Sequence, residues 1–153
     1  MPQCSCDASA DTSASTFACS ACRTKGSLVE ELTVKALLSD TALQRFEPGA
    51  HRFCPDASCD VVYFDAAGRT FTTTDLRVPV WQKQPPGART ICYCFGENET
   101  EIRAEIEQTG RSRAPERVRA HIDAGRCACE VRNPKGACCL GDITQTVKRV
   151  AHG

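Results

Sequence analysis

The sequence has no excess of either charge, few aromatic residues and no long apolar segment. Its 19 lysines and arginines are matched by 19 aspartates and glutamates, so the formal net charge is zero. Nucleic-acid binding depends on a basic surface that displaces counterions from phosphates, and a polybasic membrane anchor needs the same excess of positive charge. The charge balance therefore argues against nucleic acid and against an anionic membrane surface as partners.

Other absences concern location and catalysis. No run approaches the roughly 18 apolar residues of a transmembrane helix, and the first residues lack the basic and apolar regions of a secretion signal. We therefore predict a cytoplasmic protein without membrane insertion. The sequence contains no Ser-His-Asp grouping and no glycine-rich nucleotide fingerprint, so no independent catalytic site is visible. The three histidines are scattered, and we predict surface positions for them: His51, His121 and His152.

Cysteine is the residue that the sequence has in excess, with 12 among 153 residues. Cytosolic thiols are held reduced, so closely spaced cysteines there bind metal more often than they form disulfides. Six Phe, one Trp and two Tyr supply few large side chains for a core. We therefore expect bound metal to contribute to the folding free energy.

The residue pattern predicts an α+β chain with three parts. Residues 1–17 are rich in Ser, Ala, Asp and Thr, which predicts a flexible tail. Residues 18–84 favour strands and form a small β-rich, zinc-ribbon-like half. The Pro-Pro-Gly segment that follows breaks any regular element, and residues 88–153 form a helical half.

Local signals place elements within each half. In the β-rich half, residues 61–64 and 70–74 predict a hairpin, 76–81 a third strand and 32–43 a helix. In the helical half, Asn98, Pro115 and Asp142 each mark the start of a helix. Alternating glutamates near the first of these starts predict a solvated acidic helix face: Glu97, Glu99, Glu101, Glu105 and Glu107.

The first cysteine set has the spacing of a closed metal site. Cys19 and Cys22 form a CxxC pair, and Cys54 and Cys59 form a CxxxxC pair. Two such pairs on tight turns can bring four thiolates to one tetrahedral ion, as in structural zinc sites. Zinc is the favoured occupant, with iron or unligated buried thiols as alternatives.

The second set has a different spacing. Cys92 and Cys94 form a CxC pair, which is followed after two predicted helices by Cys127, Cys129 and the adjacent pair 138–139. A CxC pair wraps a single tetrahedral ion less readily than CxxC, and a two-iron cluster takes two thiolates on each iron. We therefore predict a 2Fe–2S cluster in the helical half, with reduced buried thiols as the alternative.

These cysteines and their flanking residues resemble a known family. The strings FCPDASCDVVYF, LRVPVWQK, ICYCFG, TGRS and CACEVRNPKGACCLGD resemble the N-terminal domain of CopZ-type iron–sulfur copper chaperones, over about residues 19–150. The second half also resembles the 2Fe–2S module of bacterioferritin-associated ferredoxins. The resemblance implies zinc in the first half and a 2Fe–2S cluster in the second.

Carried to this sequence, the resemblance implies a ligand set for each metal. The zinc ligands are Cys19, Cys22, Cys54 and Cys59. The cluster ligands are Cys92, Cys94, Cys129 and Cys139, with Cys138 as the substitute for Cys139, which is nearer the predicted helix start. Cys127 has no matched counterpart, and Cys4 and Cys6 lie outside the resemblance.

The predicted function is one-electron transfer in metal handling, most naturally of copper, with a metal-transport or metal-chaperone protein and an electron donor as partners. The family's copper-carrying domain has an MxCxxC site, which these 153 residues lack since their only methionine is Met1. We therefore expect the copper-carrying domain to be missing. Metal-ion reduction through the cluster is the one reaction this assignment suggests. Two alternatives remain open: a soft-metal-binding or sensing module that uses the extra cysteines for Cu(I) or Hg(II), and a purely structural adaptor.

Overall fold

The structure is a computed structural model that describes residues 17–153. The predicted tail lies outside the described residues except for Phe17, and so do Cys4 and Cys6. The chain divides into two compact units, residues 1–83 and residues 84–153. Within the described part, no helix is both long enough and apolar enough to cross a membrane.

The first unit is built on a four-stranded antiparallel sheet with the order β1-β2-β3-β4. The predicted hairpin is confirmed, because β3 pairs with β4 across a turn in which the Asp65 carboxylate accepts hydrogen bonds from the N–H groups of Ala67 and Arg69. The strands are β1 (Ser27–Val29), β2 (His51–Phe53), β3 (Val61–Asp65) and β4 (Thr70–Thr72).

Two short helices replace the single helix predicted over residues 32–43. They are α1 (Glu31–Leu37) and α2 (Asp40–Leu43). The chain turns extended at Leu38, and the hydroxyl of Ser39 accepts a hydrogen bond from the N–H of Ala42 and so begins a new helix. The apolar spacing continues through the break because both helices face one core, whose largest fully buried side chains are Val34, Leu38, Phe53, Val62, Tyr63 and Val80.

The predicted third strand over residues 76–81 is wrong. Leu76 makes only an isolated bridge with Leu38, and the segment ends in a 3-10 turn at Trp81–Lys83. Pro79 has no N–H to donate to a strand ladder, and residues 77–78 form a bend, so the segment does not continue as a strand.

The second unit contains a two-stranded sheet and four helices. The predicted helix beginning at Asn98 is confirmed, since the Asn98 side chain accepts the N–H of Glu101 at 2.9 Å and Gly110 ends the helix with φ of 86°. Pro115 lies in the first turn of the next helix, as predicted. The elements are β5 (Thr90–Cys92), β6 (Glu97–Asn98), α3 (Glu99–Thr109), α4 (Ala114–Asp123), α5 (Cys129–Arg132) and α6 (Leu140–His152).

Helix α6 begins three residues earlier than predicted. Cys139, not Asp142, occupies the N-cap position, although its side chain caps no backbone group. Asp142 lies inside the first turn and pairs with the Lys135 ammonium at 3.4 Å. A carboxylate in the first turn stabilises a helix through the macrodipole, so Asp142 does mark the start of this helix, but the predicted N-cap lies three residues after the observed one.

The predicted solvated acidic face is also wrong for its first two members. Glu97 and Glu99 are buried. The Glu99 carboxylate accepts hydrogen bonds from both Arg89 and Arg149, at 2.7 to 2.9 Å, while Arg117 bridges Glu97 and the half-buried Glu105. The arginines lie 10 to 50 residues away in sequence from Glu97 and Glu99, so a local charge pattern could not reveal them.

Two of the three histidines differ from the prediction of a surface position. His51 is 2% exposed, its Nδ1 lies 2.9 Å from the carbonyl oxygen of Gly49, and its ring stacks on Phe46. His121 is half-buried and stacks on Phe95 with ring centroids 3.9 Å apart. Only His152 is exposed, so the surface prediction holds for it alone.

The buried Glu99 network should make the second unit sensitive to acid. Hydrogen bonds from Arg89 hold the pKa of Glu99 at about 2, against a usual value near 4.3. The stabilisation is present above the usual value and is lost as pH falls from about 4 toward 2. Glu99→Gln should lower the free energy of unfolding at pH 7 by about 3 kcal/mol, because it leaves buried Arg89 without its countercharge.

Chemical denaturation at pH 7 and pH 3 measures this effect. The Glu107→Gln variant is the matched control, because Glu107 is exposed on the same helix. The difference in the free energy of unfolding between the two variants should be smaller at pH 3 than at pH 7. An equal loss of stability in both variants at pH 7 would contradict a stabilising role for the Glu99 network.

Candidate metal centres

The CxxC pair lies on a tight loop that precedes β1. The N–H of Cys19 donates to the carbonyl of Thr24, and the N–H of Arg23 donates back to the carbonyl of Cys19, both at 2.8 Å. Arg23 has φ of 68°, the left-handed conformation that closes the loop. The loop thus folds back on itself and points Cys19 and Cys22 in one direction.

The CxxxxC pair lies on the connection between β2 and β3. Cys54 directly follows β2, and its N–H donates to the carbonyl of Val62 at 2.9 Å, which continues the sheet pairing. The N–H of Cys59 donates to the carbonyl of Asp56 at 3.2 Å, so the connection is a hydrogen-bonded turn. Strand pairing therefore fixes the spacing of the second pair.

The structure brings all four cysteines of the first set together. The Sγ atoms of Cys19 and Cys59 are 3.9 Å apart, those of Cys22 and Cys54 are 3.5 Å apart, and all four lie within 4.8 Å of one another. A tetrahedral zinc ion with Zn–S bonds of about 2.3 Å requires sulfurs about 3.8 Å apart. The arrangement fits that requirement, and the buried, all-thiolate donor set suits zinc.

The local environment divides the thiols into more and less acidic ones. Burial raises the pKa of Cys22, but hydrogen bonds from Thr24 outweigh it and bring the value to about 7. Burial raises the pKa of Cys54 to about 12, and it also raises that of Cys59. A bound cation deprotonates coordinating thiols, so the buried pair needs the metal in order to ionise.

The second set is assembled by elements of the second unit. Cys92 ends β5, and Cys94 lies in the turn that the N–H of Gly96 closes on the carbonyl of Cys92 at 2.8 Å. Cys129 begins α5, and Cys139 immediately precedes α6. The two later cysteines are brought together by the loop at Asn133, whose buried side-chain amide donates to the carbonyl of Ala137 at 2.7 Å.

The four cysteines predicted as cluster ligands form a chain of contacts. The Sγ atoms of Cys94 and Cys129 are 3.8 Å apart. The Cys139 thiol hydrogen-bonds with both Cys129 and Cys92, and the N–H of Ala128 donates to the Sγ atom of Cys94 at 3.2 Å. The order of contact is therefore Cys94, Cys129, Cys139, Cys92. Three of these thiols are buried and Cys94 is half-buried.

The same contacts set the acidity of these thiols. Hydrogen bonding from Cys139 lowers the pKa of Cys92 to about 7 and that of Cys129 to about 6. Burial raises the pKa of Cys94 to about 11, and the hydrogen bonds to Cys129 and Cys92 raise the pKa of Cys139. Two acidic thiols therefore share the proton of a third, which favours binding of a group that supplies positive charge.

The two sets differ in shape. Among residues 17–153, only the first set places three or more metal-ligating atoms all within 4.8 Å of one another. The second set is an extended chain of contacts and not a compact tetrahedron. Cys138 and Cys127 take no part in that chain, and Cys138 is exposed whereas Cys139 is 1% exposed.

Comparisons with known proteins agree with the geometry of the first set. A family model for the zinc binding domain of CopZ matches residues 16–77, and this stretch includes all four cysteines of the first set. The chain is similar to the X-ray structure of the N-terminal domain of CopZ from Archaeoglobus fulgidus, with 30% identity and a TM-score of 0.69, over 84% of this chain and 95% of that one. The chain belongs to the family of CopZ N-terminal domains.

The full-length relative is the copper chaperone CopZ of the same organism. It is 32% identical over 121 residues, which cover 79% of this chain and 57% of the relative. The chain thus spans little more than half the length of that protein. Residues 16–77 are a CopZ-type zinc-binding domain, and the mixed α+β architecture with its small antiparallel sheet is that of the CopZ N-terminal domain. This confirms the CopZ part of the predicted resemblance, while the 2Fe–2S half stays a prediction.

Sequence reasoning missed several groups around the sites. Lys83, the hydroxyl of Thr24 and the N–H of Ala128 all contact the cysteine loops or the cysteines themselves. Thr24 lies two residues after the CxxC pair, and a threonine there is a usable signal. Lys83 lies 27 residues from its contact at Asp56, so no spacing rule indicates it.

Proposed function

We propose that this chain is a one-electron redox protein of copper handling, with a structural zinc ion in its first unit and a 2Fe–2S cluster in its second. The observation that carries the proposal is the contact chain formed by Cys92, Cys94, Cys129 and Cys139. Its extended shape suits a two-iron cluster, which takes two thiolates on each iron and is larger than a single ion.

The chain's own residues stabilise the negative charge that four cysteine thiolates bring to a cluster at the second site. The N–H of Ala128 points at the Sγ atom of Cys94, and N–H groups of Cys94 and Phe95 donate to Cys92. Such hydrogen bonds to the sulfurs stabilise added negative charge and raise a reduction potential. A 2Fe–2S cluster supplies a one-electron couple when bound. Zinc has no redox chemistry, so the first site serves the fold.

The copper assignment and the partners rest on family membership. The relative is named a copper chaperone, which supports a role in metal handling for this chain. A redox protein in that role needs two partners: a donor that supplies electrons, and a metal-transport or metal-chaperone protein that receives the reduced copper. Reduction of Cu(II) to Cu(I) consumes one electron, which matches the capacity of a single 2Fe–2S couple.

Metal analysis of anaerobically purified protein tests the proposal. We expect about two irons, two acid-labile sulfides and one zinc per chain, the content of one closed four-thiolate site and one two-iron cluster. The visible absorption should bleach on reduction by dithionite and return when Cu(II) is added with a Cu(I)-specific chelator. Protein that holds two zinc ions and no sulfide would overturn the redox function and leave a metal-binding module.

A further inference from the structure

The four-cysteine site carries more negative charge than its metal neutralises. Four thiolates around one Zn²⁺ leave two negative charges unbalanced. Cys19 and Cys54 are fully buried, so water does little to stabilise this charge. The Asp56 carboxylate adds to it, because it lies in the Cys54–Cys59 loop and accepts a hydrogen bond from Thr24 at 3.3 Å. A positive group held beside the loop would therefore stabilise the loaded site.

Lys83 is such a group. Its Nζ atom donates a hydrogen bond to the carbonyl oxygen of Asp56 at 2.8 Å, inside the loop that carries two of the ligands. The half-buried side chain reaches the loop from the 3-10 turn at the end of the first unit. The hydrogen bond places a positive charge against the backbone of the loop that holds both Cys54 and Cys59.

The other cations near the ligand loops are arranged differently. Arg23 and Lys25 are exposed, so their charges are screened by water and salt. Lys83, in contrast, is half-buried, and its ammonium group is hydrogen-bonded inside the Cys54–Cys59 loop. Lys83 also lies outside residues 16–77, the stretch matched by the zinc-binding family model.

We propose that Lys83 is a positioning residue of the zinc site, whose ammonium group compensates the thiolate charge and holds the Cys54–Cys59 loop in its liganding conformation. The inference rests on zinc in the four-cysteine site and is independent of the 2Fe–2S cluster. Removing a residue that contacts the metal ligands, but not the metal itself, typically weakens metal binding by about 10- to 100-fold. Loss of one half-buried ammonium belongs at the lower end of that range.

Zinc competition with a chromophoric chelator tests the proposal on the full chain. Lys83→Met should weaken zinc binding about 10-fold at low salt, with a smaller effect in 1 M salt, where the screening length falls to about 3 Å. Lys83→Arg keeps the charge and should restore most of the affinity. Lys25→Met removes a positive charge from the other ligand loop and is the matched control, with affinity close to that of the unmodified protein.

The outcomes separate a charge effect from a general loss of structure. The rate of zinc release from protein loaded before measurement gives a second readout, and circular dichroism reports whether each variant is folded. Equal affinities for Lys83→Met and Lys25→Met would overturn the proposal. So would a loss that salt does not reduce and arginine does not rescue. If the unmodified chain held its cluster but bound no zinc, this inference would fail while the redox proposal survived.

Discussion

Replacing Cys139 with serine should abolish or strongly alter the visible spectrum of the iron–sulfur cluster. Cys139 is buried, interacts with the thiols of both Cys129 and Cys92, and so joins Cys92 to the rest of the contact chain. A serine oxygen is a harder ligand than a thiolate, so it changes the charge-transfer bands and shifts the reduction potential. Absorption and circular dichroism of anaerobically purified protein, together with iron content, measure the effect.

Cys138→Ser is the matched control for that experiment. Cys138 is the adjacent residue and carries the same functional group, but its side chain is exposed. Neighbouring side chains point in different directions, so one of the two faces the other cysteines and the other faces solvent. The control should keep its spectrum. Loss of the spectrum in Cys138→Ser with retention in Cys139→Ser would reassign the ligand, and retention in both would point to Cys127 as a ligand.

The second large effect is expected at the zinc site. Cys54→Ser leaves three thiolates at a site where the Cys54 sulfur lies 3.5 Å from that of Cys22. Structural zinc contributes an apparent binding energy of about 10 kcal/mol or more in small domains, so losing a ligand should remove zinc and lower the thermal stability of the first unit strongly. Zinc content and the thermal unfolding midpoint measure this.

The cluster colour is the internal control for the zinc variant. The two units are each compact, so Cys54→Ser should leave the iron and sulfide content of the second unit unchanged. Cys127→Ser removes a cysteine that is not among the predicted ligands of either metal group and should preserve zinc, colour and stability. Simultaneous loss of zinc and colour in Cys54→Ser would show that the units fold as one, contrary to this expectation.

The parts of the fold that sequence predicted correctly depend on short-range interactions. The hairpin of β3 and β4 follows from β-forming residues on both sides of a turn that Asp65 stabilises. Helix α3 follows from a cap at Asn98 and a stop at Gly110. In each case the groups that determine the element lie within a few residues of it, so local propensity and turn chemistry suffice.

The predictions that were wrong concern residues whose positions depend on interactions with distant parts of the sequence. The local sequence predicts a solvated face for Glu99, because Arg149, which binds its carboxylate, lies 50 residues away. The segment that contains Pro79 has strand-like residues, but it lies on the core and pairs only once, at Leu76. Burial and long-range pairing decide these positions, and neither leaves a periodic signal in one sequence.

Spacing alone indicated the four cysteines of the first set, and these four come together in the structure. The four predicted cluster ligands were chosen from the family resemblance, and they lie near one another in a more extended arrangement. The identity of the group in the second set stays a prediction. Lys83 contacts the loop that carries two cysteines of the first set, but no cysteine spacing pattern indicates it. Candidate ligands can therefore be proposed from sequence, whereas the charged groups around them become visible only in the fold.

The order of the four-stranded sheet bears on how the zinc site assembles. Each strand pairs with its neighbour in the chain, and such short-range pairings form quickly because little loop-closure entropy is lost. Pairing of β2 with β3 by itself creates the loop that holds Cys54 and Cys59. We therefore expect that formation of this one hairpin during folding is enough to create a two-thiolate half-site. Pairing of β1 with β2 then brings Cys19, which is 40 residues from Cys59 in sequence, to the same site. The metal can by then already be bound by the two cysteines of the hairpin loop.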